Sequence, residues 1–225
     1  MGRQTNNMSK MRATDVEYIF KKFAQNNPHP EGELTHQSVF ELLVAVILSA
    51  QATDISVNKA TCKLYQHANT PESILALGEK GLKPFIKTIG LYNAKAKNII
   101  KMCAMLLDEF DGTVPNNLHD LMRLPGVGRK TANVVLQMAF GQATIAVDTH
   151  VFRVSRRLGL ATGKTPDKVE QDLLNIIPPN YHQYAHHWLI LHGRYVCKAR
   201  KPLCQDCFLR SVCVFYNKSD LCERS

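Results

Sequence analysis

The string LPGVGRKT, residues 124–131, lies between two segments with the apolar spacing of helices, about residues 116–123 and 129–140. A tight turn between two helices is therefore predicted. Gly126 and Gly128 can adopt positive φ angles, and without side chains they let backbone N–H groups approach an anion closely. The start of the second helix adds a partial positive charge at the same place. The turn is suited to bind a backbone phosphate independently of the base sequence. The alternative is a structural turn, because Pro-Gly-x-Gly also joins packed helices that bind no ligand.

Helical spacing and helix caps recur along the rest of the chain. Residues 39–48 are apolar on nearly every side, which predicts a helix enclosed by others. Asn93 is a candidate cap for a helix that ends near Gly112, and Thr165, followed by proline, is a candidate cap for another. A short strand over residues 144–147 stays open as an alternative. We therefore predict an all-α protein.

The composition points to a polyanionic partner. With 28 Lys and Arg against 19 Asp and Glu, the chain has a formal charge of +9 and a pI near 9.2, which suits nucleic acid. The first residues contain no apolar core, so they do not form a secretory signal. The apolar run Leu42–Leu48 is far shorter than the roughly 20 residues needed to cross a bilayer. The short termini favour a bacterial protein, and we expect it in the cytosol and at the nucleoid.

Lys130 falls in the first turn of the second hairpin helix. The helix dipole disfavours an ammonium ion there, and a partly neutral amine is a nucleophile. Lysine also forms Schiff bases with carbonyl carbons, which a sugar C1′ becomes once its base has left. The alternative is an ordinary contact with a phosphate or with solvent, and spacing alone favours that alternative.

Asp148 directly precedes a predicted amphipathic helix whose inner residues are Val151, Val154 and Leu158. Aspartate is a good N-cap, and most aspartates in such positions do no chemistry. A capping carboxylate that faces a cleft can nevertheless stabilise a cationic sugar in a transition state. Both interpretations of Asp148 are compatible.

Four of the seven cysteines crowd into seventeen residues near the end of the chain. In a reducing compartment such a group favours metal binding over disulfides. Four thiolates can close around a tetrahedral zinc ion or an iron–sulfur cube, and the spacing does not choose between them. The candidate ligands are Cys197, Cys204, Cys207 and Cys213, while Cys62, Cys103 and Cys222 are predicted to be free thiols.

A basic segment accompanies the first cysteine of this group. It contains no acidic residue, and a tethered basic loop suits a phosphate backbone. The alternative is an ordinary solvated run of charges. The basic residues are Arg194, Lys198, Arg200 and Lys201.

Five longer strings resemble the endonuclease III family of helix-hairpin-helix DNA glycosylases. Together they span most of the chain from about residue 28 to residue 213. The strings are FELLVAVILSAQATD from residue 40, KTIGLYNAKAKNI from residue 87, LPGVGRKTANVV from residue 124, AVDTHVFRV from residue 146 and HHWLILHGRYVCKARKP from residue 186.

This resemblance implies an all-α fold of two domains with a cleft between them. A six-helix domain would span residues 32–142 and include the helix-hairpin-helix at about residues 116–141. An iron–sulfur domain would combine residues 1–31 with residues 143–225. The resemblance also implies a 4Fe-4S cluster on the four grouped cysteines, with a role in structure and DNA contact.

The implied activity is excision of oxidised, ring-saturated pyrimidines from duplex DNA by a monomer. Lys130 would attack C1′ and form a Schiff base, Asp148 would assist, and β-elimination would nick the abasic site on its 3′ side. Gln51 would fill the space of the extruded nucleotide and Leu91 would act as a wedge. From the residues alone, Gln51 is a helix-end residue and Leu91 a loop anchor. Arg129 would contact DNA together with the turn glycines.

Two rival functions fit the residues less well. A monofunctional glycosylase of the same superfamily activates water, so it would not need Lys130. A non-catalytic DNA-binding or redox-sensing iron–sulfur protein would leave both Lys130 and Asp148 unexplained. One residue departs from the family pattern, since Met122 stands where an acidic residue is expected eight positions before Lys130.

Overall fold

The computed structural model describes residues 11–30 and 32–217, and this part of the chain is helical without a β-strand. The predicted all-α class is confirmed, and the possible strand at residues 144–147 is coil. None of the described helices has the length and hydropathy needed to span a membrane. Within the described residues, ten α-helices have both ends defined: α1 (Ala13–Asn26), α2 (Val39–Ser49), α3 (Asp54–Tyr65), α4 (Pro71–Ile86), α5 (Tyr92–Phe110), α6 (Leu118–Arg123), α7 (Arg129–Phe140), α8 (Thr149–Leu158), α9 (Pro166–Ile176) and α10 (His182–Tyr195).

The chain divides into two compact units. The hairpin unit is the continuous segment Gly32–Gln142, with helices α2 to α7. The cysteine unit combines Met1–Glu31 with Ala143–Ser225 and contains α1 and α8 to α10. Each unit has its own cluster of buried apolar side chains.

Helix α2 is the centre of the hairpin unit. Nine successive residues, 40–48, are buried, as expected for a helix that is apolar on nearly every side. Ser38 begins the helix by accepting a hydrogen bond from the backbone N–H of Glu41 at 3.1 Å. Helices α3, α5 and α7 pack around α2, so the hairpin helix α7 rests directly on the core.

The capping position of helix α5 lies two residues before the predicted one. Asn93 lies inside the helix, and the capping position is Leu91, which has a left-handed backbone (φ 59°) and provides no side-chain cap. The predicted end is close to the observed one, because Asp111 and Gly112 both adopt positive φ. Helix α9 begins as predicted, with the Thr165 side chain accepting from the backbone N–H of Lys168 at 3.4 Å.

An aromatic cluster fills the core of the cysteine unit. Phe23 on α1 stacks on Trp188 of α10 with ring centroids 6.1 Å apart, and Phe20 lies 6.3 Å from the same ring. The indole N–H of Trp188 donates to the carbonyl of Asn27 at 2.7 Å. These contacts join the N-terminal helix to the C-terminal part of the chain, where the four grouped cysteines lie.

Candidate active site and metal centre

The turn between α6 and α7 has the predicted helix-hairpin-helix form. Leu124 and Val127 are buried, and the Val127 N–H donates to the Leu124 carbonyl at 3.0 Å. Gly126 has φ +86°, and a Cβ there would lie 3.1 Å from the Cβ of Asn98 on α5. Glycine is therefore required at position 126 both by backbone conformation and by the close approach of α5.

Gly128 differs from Gly126, and the expectation that both glycines permit a positive φ applies to only one of them. The Gly128 backbone is extended, with φ −93° and ψ 173°, which any residue adopts. A Cβ at this position would meet no protein atom within 4 Å. No side chain caps the N-terminus of α7 at Gly128. The structure thus leaves open space at a helix N-terminus with positive partial charge, as an anion site requires.

Lys130 is exposed in the first turn of α7. It takes part in none of the ion pairs found among residues 11–30 and 32–217. Its amine is therefore accessible to a ligand without first breaking a salt bridge. The proximity of Lys130 to the uncapped turn matches the expected placement, while its role as nucleophile stays a prediction.

Asp148 is half-buried at the N-cap of α8, so the predicted capping role is confirmed. Its Oδ1 accepts a hydrogen bond from the Val151 N–H at 2.8 Å. Its Oδ2 accepts none from the described residues. One carboxylate oxygen thus orients the side chain and leaves the other available to a ligand. Asp148 belongs to the cysteine unit and Lys130 to the hairpin unit.

Gln51 and Leu91 share an unusual backbone conformation. Their φ angles are 57° and 59°, and both side chains are exposed. A left-handed backbone costs a residue with a Cβ about 1–2 kcal/mol, and such strain clusters at functional sites. The two loops approach each other, because a Cβ on Gly90, the residue before Leu91, would lie 3.7 Å from the Gln51 carbonyl oxygen. Their insertion into DNA stays a prediction, and the sequence did not reveal that their two loops approach each other.

The four grouped cysteines line one shared space in the cysteine unit. All four are free thiols in the structure, as are Cys62 and Cys103, while Cys222 lies outside the described residues. Burial raises the pKa of the Cys204, Cys207 and Cys213 thiols, and the neighbouring cysteines raise it further. Thiolates are the metal-binding form, so a bound cationic group would offset this cost.

The residues that line this space fit an iron–sulfur cluster. Four thiolates are the ligand set of a 4Fe-4S cluster, and the four cysteines share one space. A tetrahedral zinc ion takes the same four ligands, so the arrangement alone fits either group.

Two arginines of α8 hold the segment around Cys197, and sequence reasoning missed both. Arg153 donates to the carbonyl of Cys197 at 3.0 Å. Arg157 donates to the carbonyls of Lys198 at 2.8 Å and Ala199 at 2.9 Å. The side chains of Lys198, Arg200 and Lys201 are exposed on this segment, and Arg194 is half-buried. The spacing of four between the two arginines was the available signal, because it places both on one side of a helix.

A third missed residue is Lys95 on α5. It is 6% exposed, although it carries a charge. The sequence contained a signal, because Lys95 stands four residues before the buried Ile99 on the apolar stripe of its helix.

Two family models match this chain. Residues 44–179 match the HhH-GPD superfamily of base excision DNA repair proteins. Residues 197–213 match the iron–sulfur binding domain of endonuclease III. The second match begins and ends on two of the four grouped cysteines.

Similar proteins extend over nearly the whole chain. The endonuclease III of Rickettsia conorii is 59% identical over 206 residues, covering 92% of this chain and 98% of that protein. The endonuclease III of Escherichia coli strain K12 is 57% identical over 203 residues, covering 90% and 96% respectively. A solved structure, a trapped endonuclease III–DNA covalent intermediate in an estranged-adenine complex, has a TM-score of 0.87 at 45% identity. That match covers 93% of this chain and 99% of the other.

Proposed function

Because this chain belongs to the endonuclease III family of helix-hairpin-helix base excision DNA repair proteins, we propose that it removes oxidised, ring-saturated pyrimidines from duplex DNA. It is a DNA glycosylase with abasic-site lyase activity, as the family is. The observation that carries the proposal for the site is the exposed Lys130 amine, in the first turn of a helix whose N-terminus is uncapped and open. A phosphate bound at that N-terminus would place the neighbouring sugar within reach of this amine.

Lys130 supplies the nucleophile in this mechanism. The lone pair of its Nζ bonds to C1′ of the damaged nucleotide, and the N-glycosidic bond breaks, so the base leaves with that electron pair and is protonated. The attached amine then loses one proton, its lone pair forms the C1′=Nζ bond, and the C1′–O4′ bonding pair passes to O4′, which takes up a proton. The product is the protonated Schiff base. Loss of a C2′ proton then expels the 3′ phosphate, and water releases the unsaturated aldehyde from the lysine.

Asp148 assists these steps. Its Oδ1 is held by the Val151 N–H, so the carboxylate is oriented before substrate arrives. The second oxygen accepts a proton from the Lys130 ammonium or balances the positive charge that develops on the sugar. An aspartate at position 148 can thus both cap α8 and act in catalysis.

DNA binding is proposed to use three surfaces. The turn at Gly126 and Gly128, with Arg129, contacts a backbone phosphate near the damaged nucleotide. Gln51 and Leu91 enter the duplex when that nucleotide is extruded, with Gln51 filling the space and Leu91 acting as a wedge. The basic residues around the first cysteine contact the phosphate backbone elsewhere, and the net charge of +9 supports this attraction. These basic residues are Arg194, Lys198, Arg200 and Lys201.

The cysteine unit holds an iron–sulfur cluster. We propose that it is a 4Fe-4S cluster ligated by Cys197, Cys204, Cys207 and Cys213. When bound, such a cluster supplies cross-links between segments of the chain. Arg153 and Arg157 anchor the basic segment from the protein side. Excision itself uses Lys130 and Asp148, so no redox step is required.

Trapping with borohydride tests the nucleophile. Duplex DNA containing thymine glycol or an abasic site is incubated with wild type, Lys130→Ala and Lys101→Ala, the last changing an exposed lysine of α5. Wild type and the Lys101 variant are expected to form the covalent adduct, and the Lys130 variant none. Equal adduct in all three proteins would refute the assignment. Base release without any adduct in wild type would favour the monofunctional rival.

The preferred lesion class is tested with three substrates. Excision rates on thymine glycol, on an oxidised purine and on undamaged thymine test the preference for ring-saturated pyrimidines. Faster removal of the oxidised purine would contradict it.

We propose that the protein acts as a monomer in the bacterial cytosol, which the bacterial origin of its relatives supports. Sedimentation of the DNA complex at one protein per duplex would agree with a monomer.

A further inference from the structure

Lys95 is a buried cation within the hairpin unit. Its side chain is 6% exposed, in the first turn of α5. The ammonium Nζ donates to the carbonyl of Leu48 at 2.9 Å and to the carbonyl of Ala50 at 2.6 Å. No ion pair recorded within the described residues includes Lys95. This ammonium is therefore held by backbone carbonyls and not by a carboxylate.

The two acceptors lie at the end of α2. Carbonyls in the last turn of a helix lack partners within the helix, and they carry partial negative charge. A cation there is stabilised, yet burying an ammonium is costly, and burial lowers the pKa of Lys95. Buried lysines are rare among folded proteins. An apolar side chain would satisfy the packing of α5 at this position. What distinguishes the lysine is therefore the hydrogen bonds of its ammonium group.

These hydrogen bonds connect the segments that carry Gln51 and Leu91. Ala50, which accepts from the Lys95 ammonium, directly precedes Gln51. On the other side, the backbone N–H of Lys95 donates to the carbonyl of Leu91 at 3.1 Å. One residue thus bonds to both chain segments, through its side chain to one and through its backbone to the other. Leu91, and Gln51 directly after Ala50, have left-handed backbones.

We propose that Lys95 is a positioning residue that holds Gln51 and Leu91 in the relative placement needed to enter the duplex together. This inference rests on the proposed function of those two residues. Insertion of a pair of side chains requires a fixed spacing, and loops alone seldom supply it. The Lys95 ammonium provides a rigid connection between two loops without occupying the exposed surface that DNA would contact.

A variant series separates this role from a contribution to stability alone. Lys95→Met removes the charge and the donors but keeps a long apolar stem, and Lys101→Met is the matched control on the exposed side of α5. Borohydride trapping rates are measured on an abasic site in duplex DNA and on the same site in a single strand. Fluorescence of 2-aminopurine beside the lesion reports extrusion in the duplex. Thermal melting reports the folded fraction.

The expected result is specific for duplex DNA. Loss of hydrogen bonds from a charged donor predicts duplex trapping and extrusion slowed about tenfold or more in Lys95→Met. Trapping on the single strand, which needs no extrusion, should match wild type and Lys101→Met. Equal slowing on both substrates, or no slowing on the duplex, would overturn the inference.

A double-mutant cycle tests whether Lys95 acts through the two inserted residues. In a Gln51→Ala, Leu91→Ala background, adding Lys95→Met should cause no further slowing on the duplex. Independent, multiplicative losses would refute the positioning role. If wild type forms no adduct at all, the proposed function fails; if wild type acts and only this cycle is additive, the inference about Lys95 fails alone.

Hydrogen exchange provides a measurement in case Lys95→Met folds poorly. In Lys95→Arg, which keeps the charge but changes the donor geometry, backbone amides near residues 51 and 91 should exchange faster than in wild type. Amides in the middle of α7 should be unchanged. Unchanged exchange at both loops would contradict the idea that Lys95 holds them.

Discussion

Replacing Gly128 by alanine should impair DNA binding while leaving the fold intact. The backbone there has φ −93° and ψ 173°, so alanine adopts it without strain, and no protein atom lies within 4 Å of the new methyl group. Alanine is a poorer N-cap than glycine by about 0.5–1 kcal/mol. Its smaller loss of backbone entropy on folding returns about 0.4–1 kcal/mol. The two effects cancel, and the free energy of unfolding should stay close to that of wild type.

The same methyl group would occupy the open space at the N-terminus of α7. If a phosphate binds there, its charge-assisted hydrogen bond to a backbone N–H is worth about 1.5–3 kcal/mol. Losing one such bond predicts affinity about tenfold to a hundredfold weaker. The assay is fluorescence anisotropy with duplex DNA containing a tetrahydrofuran abasic analogue, at one fixed salt concentration. Denaturant unfolding of the free protein accompanies it.

Gly126→Ala is the contrasting variant. Its φ of +86° and the 3.1 Å approach to Asn98 make a Cβ costly, by about 2–3 kcal/mol from the left-handed backbone and crowding together. This variant should lose stability, whereas Gly128→Ala should not. If Gly128→Ala binds the abasic analogue as tightly as wild type, the phosphate does not approach Gly128 and the anion-site argument is wrong.

Three further predictions concern the cysteine unit. Asp148→Asn keeps the cap on α8, because asparagine caps as well as aspartate, so melting should be unchanged while excision falls about 100-fold or more; single-turnover rates equal to wild type would exclude a catalytic carboxylate. Burial lowers the pKa of His187 below its usual value of 6.5, so the unfolded chain binds its proton more readily. The free energy of unfolding should therefore fall as pH drops below about 6.5. Urea titrations at pH 7.5 and pH 5 should show a smaller fall for His187→Gln than for wild type. An equal fall in both proteins would contradict this. Arg157→Met removes the donors to the Lys198 and Ala199 carbonyls. The absorption of the iron–sulfur cluster should therefore bleach faster with a chelator than in wild type or in the control Lys164→Met. Equal bleaching rates would disprove the anchoring role of Arg157.

Sequence patterns correctly predicted those helices and caps that depend on residues close together in the chain. The apolar residues 39–48 became the buried helix α2, and the Thr165 and Asp148 caps lie where the spacing placed them. The helix after the hairpin turn begins and ends at the predicted residues, Arg129 and Phe140. In each case the signal and its structural consequence lie within a few residues of each other.

The remaining features depend on contacts between distant segments. The Lys95 ammonium bonds to carbonyls 45 and 47 residues earlier in the chain, and no local pattern indicates those partners. Arg157 bonds to carbonyls 41 and 42 residues later. The capping position of α5 is the left-handed Leu91 and not Asn93, and the Leu91 side chain makes no capping hydrogen bond. Contacts of this kind, between residues far apart in the chain, become visible only in the structure.

The division of the chain also determines the order in which its parts can form during synthesis. The hairpin unit is continuous, so a growing chain has all of its residues once Gln142 has left the ribosome. Helix α1 is made first but packs its Phe20 and Phe23 on Trp188, which is synthesised more than 160 residues later. Until then its apolar face has no partner. Insertion of a cluster with Cys213 as a proposed ligand must wait longer still, so the hairpin unit is complete before the proposed metal centre.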